Sequence, residues 1–233
     1  MDLVLAALPN SMINVADAMS LAPHTWVTDN VLAFWLEHLF YVRYPQLSQV
    51  EGRVHVALNA GVATLCQVLS GGDLVESLSR TGLGPGCHSF ILPLCDTRAF
   101  TTPLSGSHWT LLHWRRSAGF AHHDSSLPPE GAGGGSLKTA EAVAAALAPL
   151  LGVLPALASV TSTPCPQQTN GFDCGMHAAA SMEFLAAELA GEPLAAMPEA
   201  SEMRTKILRA AAGPASGRRP GSQVDAFFSS LGL

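Results

Sequence analysis

Charge is scarce in this chain. Asp, Glu, Lys and Arg together make up 13% of its 233 residues, the formal net charge is −6, and no basic run exceeds the pairs Arg115-Arg116 and Arg218-Arg219. A nucleic-acid binder needs a dense cationic face to displace counterions, so nucleic acid is not an expected partner. Cysteine is sparse as well. The five cysteines, at 66, 87, 95, 165 and 174, are odd in number, widely spaced and contain no C-x-x-C pair, which argues against a disulfide framework or a zinc knuckle and for a reducing compartment. Long apolar runs are also missing. The opening stretch 1–8 is apolar, but it has no positive flank and is followed by Pro9-Asn10-Ser11, so neither a secretory signal nor a membrane span is expected. The resulting expectation is a soluble, monomeric protein of the cytoplasm or nucleus. Against these shortages stands a hydrophobic content of 48%, rich in Ala and Leu, enough for one compact domain with a sizeable core.

Periodicity divides the chain. Apolar residues at Val31, Leu32, Phe34, Trp35, Leu36, Leu39 and Phe40 predict a helix that starts after Thr28 or Asp29 and ends at Pro45. A second helical stretch over 60–78 is broken at Gly71-Gly72. The period then shortens: 89–94, 109–114 and 119–124 read as strands, the last two joined into an antiparallel hairpin across 115–118. Residues 126–136, with Pro128-Pro129 and Gly133-Gly134-Gly135, read as a flexible loop, 137–151 as helix and 157–161 as a strand. From Cys174 to Ala190 almost every residue is apolar or small, the composition of a helix buried on most sides. The catalytic domain is expected to span 1–212 and a flexible tail 213–233, in which 224–231 docks as a short terminal element.

Three segments carry chemistry. The turn-rich run Gln168-Thr169-Asn170-Gly171-Phe172-Asp173-Cys174-Gly175 delivers a cysteine to the first turn of that buried helix, where unpaired N–H groups and the positive end of the helix dipole favour a thiolate nucleophile. Alone, a cysteine at a helix start is more often a small buried hydrophobe. His108 begins one strand of the predicted hairpin and Asp124 ends the other, so antiparallel pairing brings imidazole and carboxylate together. His108 then serves as base and acid to Cys174, with Asp124 fixing its orientation. Gln168, with the backbone N–H of Cys174, is placed to donate hydrogen bonds to a developing oxyanion. His122 and His123 are not read as a metal pair, because adjacent strand residues point to opposite faces. No metal or other cofactor is expected.

Together, Gly106-Ser107-His108-Trp109, His123-Asp124-Ser125 and the Gln168-to-Gly175 run stand in the order and spacing of a known family. The sequence resembles the ubiquitin-like proteases, also called sentrin-specific proteases. The resemblance implies a papain-like α+β fold, with an antiparallel sheet packed on a central helix that begins at the catalytic cysteine. It assigns His108, Asp124 and Cys174 to a triad and Gln168 to the oxyanion site. Upstream, Thr25-Trp26-Val27-Thr28-Asp29-Asn30 resembles the segment that leads into the family's first helix. This implies that Trp26 and Trp109 close over a diglycine tail, a passage only residues without side chains fit. Asp29 matches a modifier-contacting position of the deneddylase branch. The implied partner is therefore a ubiquitin-like modifier with its conjugates, first Nedd (Rub) and alternatively SUMO. Two departures lie at His123 and His177, where the family more often carries aromatic residues. An acetyltransferase with the same order of residues, and a module that binds a modifier without cleaving it, remain as alternatives.

Overall fold

The computed structural model describes residues 3–48, 54–96, 106–126, 135–154, 158–214 and 221–232. It is built around a five-stranded sheet of order β3-β4-β5-β6-β7, comprising Val54–Ala57, Cys87–Cys95, Trp109–Arg115, Gly119–His123 and Val160–Thr163. β4, β5 and β6 are antiparallel, whereas β3 runs parallel to β4 and β7 parallel to β6. The sheet is thus antiparallel at its centre, as expected, and parallel at its two edges. Both edge strands are only four residues long, too short to show a clear alternation in the sequence.

Alternation along the central strands fixes the two faces. Phe90, Leu92, Leu112, Trp114 and Phe120 point to one face, where they pack with Val143 and Leu147 of α5 (Gly135–Leu147) and with Val62 and Ala63 of α3 (Gly61–Val68). Ile91, Leu111 and Trp109 belong to the other face, packed with α6 (Cys174–Leu189) and α2 (Asp29–His38). Alanines 178, 179, 180, 186 and 187 let α6 approach its neighbours closely, and the buried indole N–H of Trp35 donates to the Ala179 carbonyl at 3.1 Å.

Helix α2 starts where the sequence places it, capped by the Thr28 side chain accepting from the Val31 N–H. The predicted continuation through 44 instead loosens into a π-helical turn over Leu39–Arg43. Between α3 and α4 (Gly71–Leu78) the predicted break lies at Leu69-Ser70, and Gly71 begins the second helix with φ +55°. The sequence reading passed over the amino-terminal hairpin β1 (Val4–Leu8) with β2 (Ser11–Asn14), the short α1 (Val15–Met19) and the amphipathic α7 (Ala200–Ala212). The buried Glu37 carboxylate anchors that hairpin by accepting from the Asn10 N–H at 2.9 Å and from the Ser11 hydroxyl.

Within the tail expected over 213–233, the docking element expected over 224–231 is present as a helix. Ser222–Ser230 forms α8, whose Val224 and Phe228 are buried in the same cluster as Leu5, Trp35, Cys174, Met203 and Ile207. Burial of a side chain of that size stabilises by roughly 1.5–3 kcal/mol, which explains why a polar segment carrying two such residues docks. The Pro- and Gly-rich stretch 127–134 and residue 157 of the predicted strand lie outside the described residues. Among the described residues no helix is long and apolar enough to cross a membrane.

Candidate active site

Cys174 opens α6 with its side chain only 1% exposed. Its loop is shaped by Asn170, whose Oδ1 accepts from the Phe172 and Asp173 N–H groups at 3.0 and 2.9 Å and whose Nδ2 donates to Asp173 Oδ2 at 2.8 Å. Asp173 is the residue before the helix, yet its carboxylate does not cap it. Instead it faces Arg204 of α7 at 2.8 Å. Burial alone would raise the Asp173 pKa, but hydrogen bonds from Arg204 and Asn170 hold it below its ordinary value. The Met176 and His177 N–H groups donate to the Asp173 carbonyl at 2.9 and 3.0 Å, so the uncapped N–H groups that face a developing negative charge are those of Cys174 and Gly175.

The hairpin does what the spacing predicts. His108 precedes β5 and Asp124 follows β6, with Leu111 paired to His123. Residue 108 is fixed by Asp96, which follows β4 and accepts from the His108 N–H at 2.7 Å and from the Ser107 N–H and hydroxyl, both at 2.5 Å. His108 Nε2 then lies 2.6 Å from Asp124 Oδ1, which leaves Nδ1 for Cys174. Burial alone would lower the His108 pKa. The hydrogen bonds and charges of Asp124 and Cys174 outweigh it and raise the pKa to about 10, so the ring holds its proton through neutral pH.

Asp124 is 2% exposed and fully engaged. Besides His108, its Oδ1 accepts from the Ser126 N–H at 2.8 Å and its Oδ2 from the Ser136 hydroxyl at 2.5 Å. Burial would raise its pKa, and the bonds from His108, Ser136 and Ser126 more than reverse that, holding the carboxylate ionised. Its backbone carbonyl accepts from Gln167 Nε2 at 3.0 Å and from the Cys165 thiol at 3.2 Å, tying the loop before α6 to the end of β6.

Gln168 belongs to the same knot. Its N–H donates to the Ser125 carbonyl, and its Oε1 accepts from the Ser125 hydroxyl, both at 2.8 Å. Its Nε2 donates to the Asn170 carbonyl at 2.6 Å. Since a primary amide carries two hydrogens, one donor is left for another acceptor.

The structure also gathers Trp26, Asp29 and Trp109 around one feature. They line a groove of about 460 Å³ together with Ala60, Ala63, Thr64, Gln67 and Cys95. Trp26 is 43% exposed at its rim, whereas Trp109 is 8% exposed and donates its indole N–H to the Val27 carbonyl at 3.1 Å. Asp29 is exposed at the start of α2 and, among the described residues, accepts a side-chain hydrogen bond from the Asn30 N–H at 3.0 Å. Gly175 sits behind this wall: a Cβ there would lie 2.3 Å from Val27 Cγ2 and 3.3 Å from Trp109 Cδ1. The groove and the nucleophile therefore share a wall so close that only glycine fits beside Cys174.

His122 and His123 do point to opposite faces, since they pair with Leu112 and Leu111 respectively. Sequence reasoning missed Asp96, Ser136 and Arg204. Asp96 had a usable signal, because a strand predicted to pair with 109–114 places its end beside residue 108.

No family model matches the sequence, and no curated protein matches it. Solved structures match it in three dimensions. The carboxy-terminal Ulp1 protease domain in complex with Smt3, the yeast orthologue of SUMO, superposes with a TM-score of 0.65 at 19% identity, covering 91% of this chain and 88% of that one. The Ulp1-like SUMO protease catalytic domain of Chaetomium thermophilum gives 0.62 at 21% identity over 93% of this chain and 83% of its own. The Xanthomonas campestris effector XopD bound to ubiquitin gives 0.55 at 19% identity over 79% and 90%. The chain therefore has the α+β fold of the Ulp1-like cysteine proteases.

Proposed function

We propose that this chain is a cysteine protease that cleaves after the C-terminal Gly-Gly of a ubiquitin-like modifier, with SUMO the best supported. The observation that carries the reading is the hydrogen-bonded His108–Asp124 pair, with Cys174 at the start of α6, beside a groove walled by Trp26 and Trp109. Cys174 Sγ attacks the carbonyl carbon of the terminal glycine. Charge gathers on the carbonyl oxygen, which takes hydrogen bonds from the Cys174 N–H and the free hydrogen of Gln168 Nε2. The C–N bond breaks, His108 passes its proton to the departing amine, and a thioester remains. Water then hydrolyses the thioester, losing a proton to His108, and the thiol is restored. A cysteine exposed by only 1% favours a substrate tail without side chains.

SUMO is preferred over Nedd because SUMO proteases recur among the structural neighbours. The ubiquitin complex of XopD keeps ubiquitin in view as an alternative. The test is covalent capture with SUMO, Nedd and ubiquitin probes that each carry a thiol-reactive C-terminus. An adduct at Cys174 with SUMO, lost in Cys174→Ala while binding persists, is the expected result. Capture of Nedd alone restores the deneddylase reading, and no capture by any probe refutes the protease reading.

A further inference from the structure

We infer that Arg204 is a positioning residue that locks the substrate-facing Trp26 segment to the Cys174 loop, so that docking of the modifier tail and alignment of the nucleophile are one event. The inference rests on the protease reading above and adds a residue which that reading does not use.

Arg204 projects from α7 with a side chain only 12% exposed. Its Nη1 donates to the Ser20 and Ala22 carbonyls at 3.2 and 2.8 Å, and its Nη2 donates to the Thr25 carbonyl at 2.7 Å and Asp173 Oδ1 at 2.8 Å. One guanidinium therefore holds both the segment that ends at Trp26 and the residue immediately before Cys174. Carbonyls that a turn leaves unpaired need such a donor when water is excluded. A planar fork meets four acceptors in fixed directions, which an ammonium does not reproduce.

A second contact joins the same two segments. His24 holds φ +62°, a left-handed conformation that a non-glycine residue keeps only when its surroundings enforce it. Its ring packs edge-on against Phe172 with centroids 4.9 Å apart. The Thr25 hydroxyl closes the turn from within, reaching the Ser20 and Ala22 carbonyls at 2.7 and 2.6 Å. From Asp173 the chain of contacts continues through Asn170 to Gln168. Movement of Trp26 is thus coupled through Arg204 to the loop that carries the oxyanion donor and the nucleophile. Arg204 touches neither His108 nor Asp124, so it leaves the proton-transfer pair alone.

The experiment compares Arg204→Met, Arg204→Lys and Asp173→Asn with the parent. Three quantities are measured: kcat and KM on whichever modifier substrate the parent cleaves, the rate of Cys174 alkylation by iodoacetamide across pH, and Tm. Arg204→Met should lose at least tenfold in kcat/KM, mainly through KM, while alkylation stays within twofold and keeps its pH midpoint. Arg204→Lys should recover part of the loss, and Asp173→Asn combined with Arg204→Met should add little further loss. Turnover by Arg204→Met within twofold of the parent overturns the inference. So does a parallel fall in turnover and alkylation, which means general loosening rather than coupling; Arg204→Lys and Asp173→Asn decide the matter if Arg204→Met does not fold. An inactive parent refutes the protease reading itself, and this inference with it, whereas an active parent matched by Arg204→Met refutes this inference alone.

Discussion

Gly175→Ala separates the geometry of the groove from the chemistry of the triad. The added methyl meets Val27 Cγ2 at 2.3 Å and Trp109 Cδ1 at 3.3 Å, well inside van der Waals contact, so the Val27 side chain or backbone must move. Overpacking of this kind costs about 1–3 kcal/mol. Alanine in place of glycine within a helix returns up to about 1 kcal/mol. The net loss is about 1–2 kcal/mol, or ~2–8 °C in Tm for a domain of this size. Function should suffer more than stability, because the displaced atoms carry Trp26 on one side and receive the Trp109 indole N–H on the other. The expected result is a fall in kcat/KM of tenfold or more on a Gly-Gly-terminated modifier, read beside a thermal melt. Val27→Ala removes the atom in conflict, so the double variant Val27→Ala/Gly175→Ala should regain turnover relative to Gly175→Ala. An alanine variant that melts and turns over like the parent, or a double variant no better than the single, refutes the shared wall.

Two further outcomes follow from the charges of the site. Ser136→Ala removes one of the donors holding the Asp124 carboxylate, a bond to a charged group worth about 1.5–3 kcal/mol. The acid limb of the kcat/KM profile should move to higher pH, and an unmoved limb contradicts this role for Ser136. The second concerns acid stability. Burial, with the neighbouring histidines, lowers His113 to about 3 and His123 to about 4, and burial lowers His38 and His122 as well. His113 and His123 are thus neutral in the fold near pH 5 and gain protons on unfolding below pH 6.5. Their contribution is complete above about 6.5 and is lost as pH falls toward 4, in the sense opposite to His108, whose contribution is complete below 6.5 and lost as pH rises through about 10. For His123 alone the loss between pH 8 and 5 is about 2 kcal/mol. Urea unfolding at both pH values should show it, with a shallower slope in His123→Phe; equal stability at the two pH values speaks against it.

Much of the fold was legible where residue patterns repeat. The β5–β6 hairpin shows alternation, α6 shows an unbroken run of small and apolar residues, and α2 carries its own cap at Thr28. The strands β1, β2 and β3 are four or five residues long and leave almost no periodic trace. At the site, His108, Asp124, Gln168 and Cys174 were recognisable because side chains of a particular type must stand in order on a hairpin and a helix start. Arg204 was not, since its partners at 20, 22 and 25 are backbone carbonyls, which every residue possesses. Asp124 was readable as a partner of His108 but not as an acceptor for Ser136, which lies beyond a loop whose path the sequence does not dictate. Which modifier the proposed protease would take was less legible still, because no motif around the reacting atoms distinguishes one modifier from another.

The cluster that surrounds Cys174 also contains Leu5, Ile207 and Phe228, and this has a bearing on biosynthesis. A nascent chain still lacking residues 200–228 has Asp96, His108, Asp124, Gln168 and Cys174 already made, yet neither Arg204 to hold Asp173 nor the apolar side chains that cover the far side of α6. Contacts of such long sequence separation form late, because loop closure precedes any gain from packing. On the proposed protease reading, competence therefore arrives only once α7 and α8 have docked, and a chain synthesised short of them does not yet cleave modifiers.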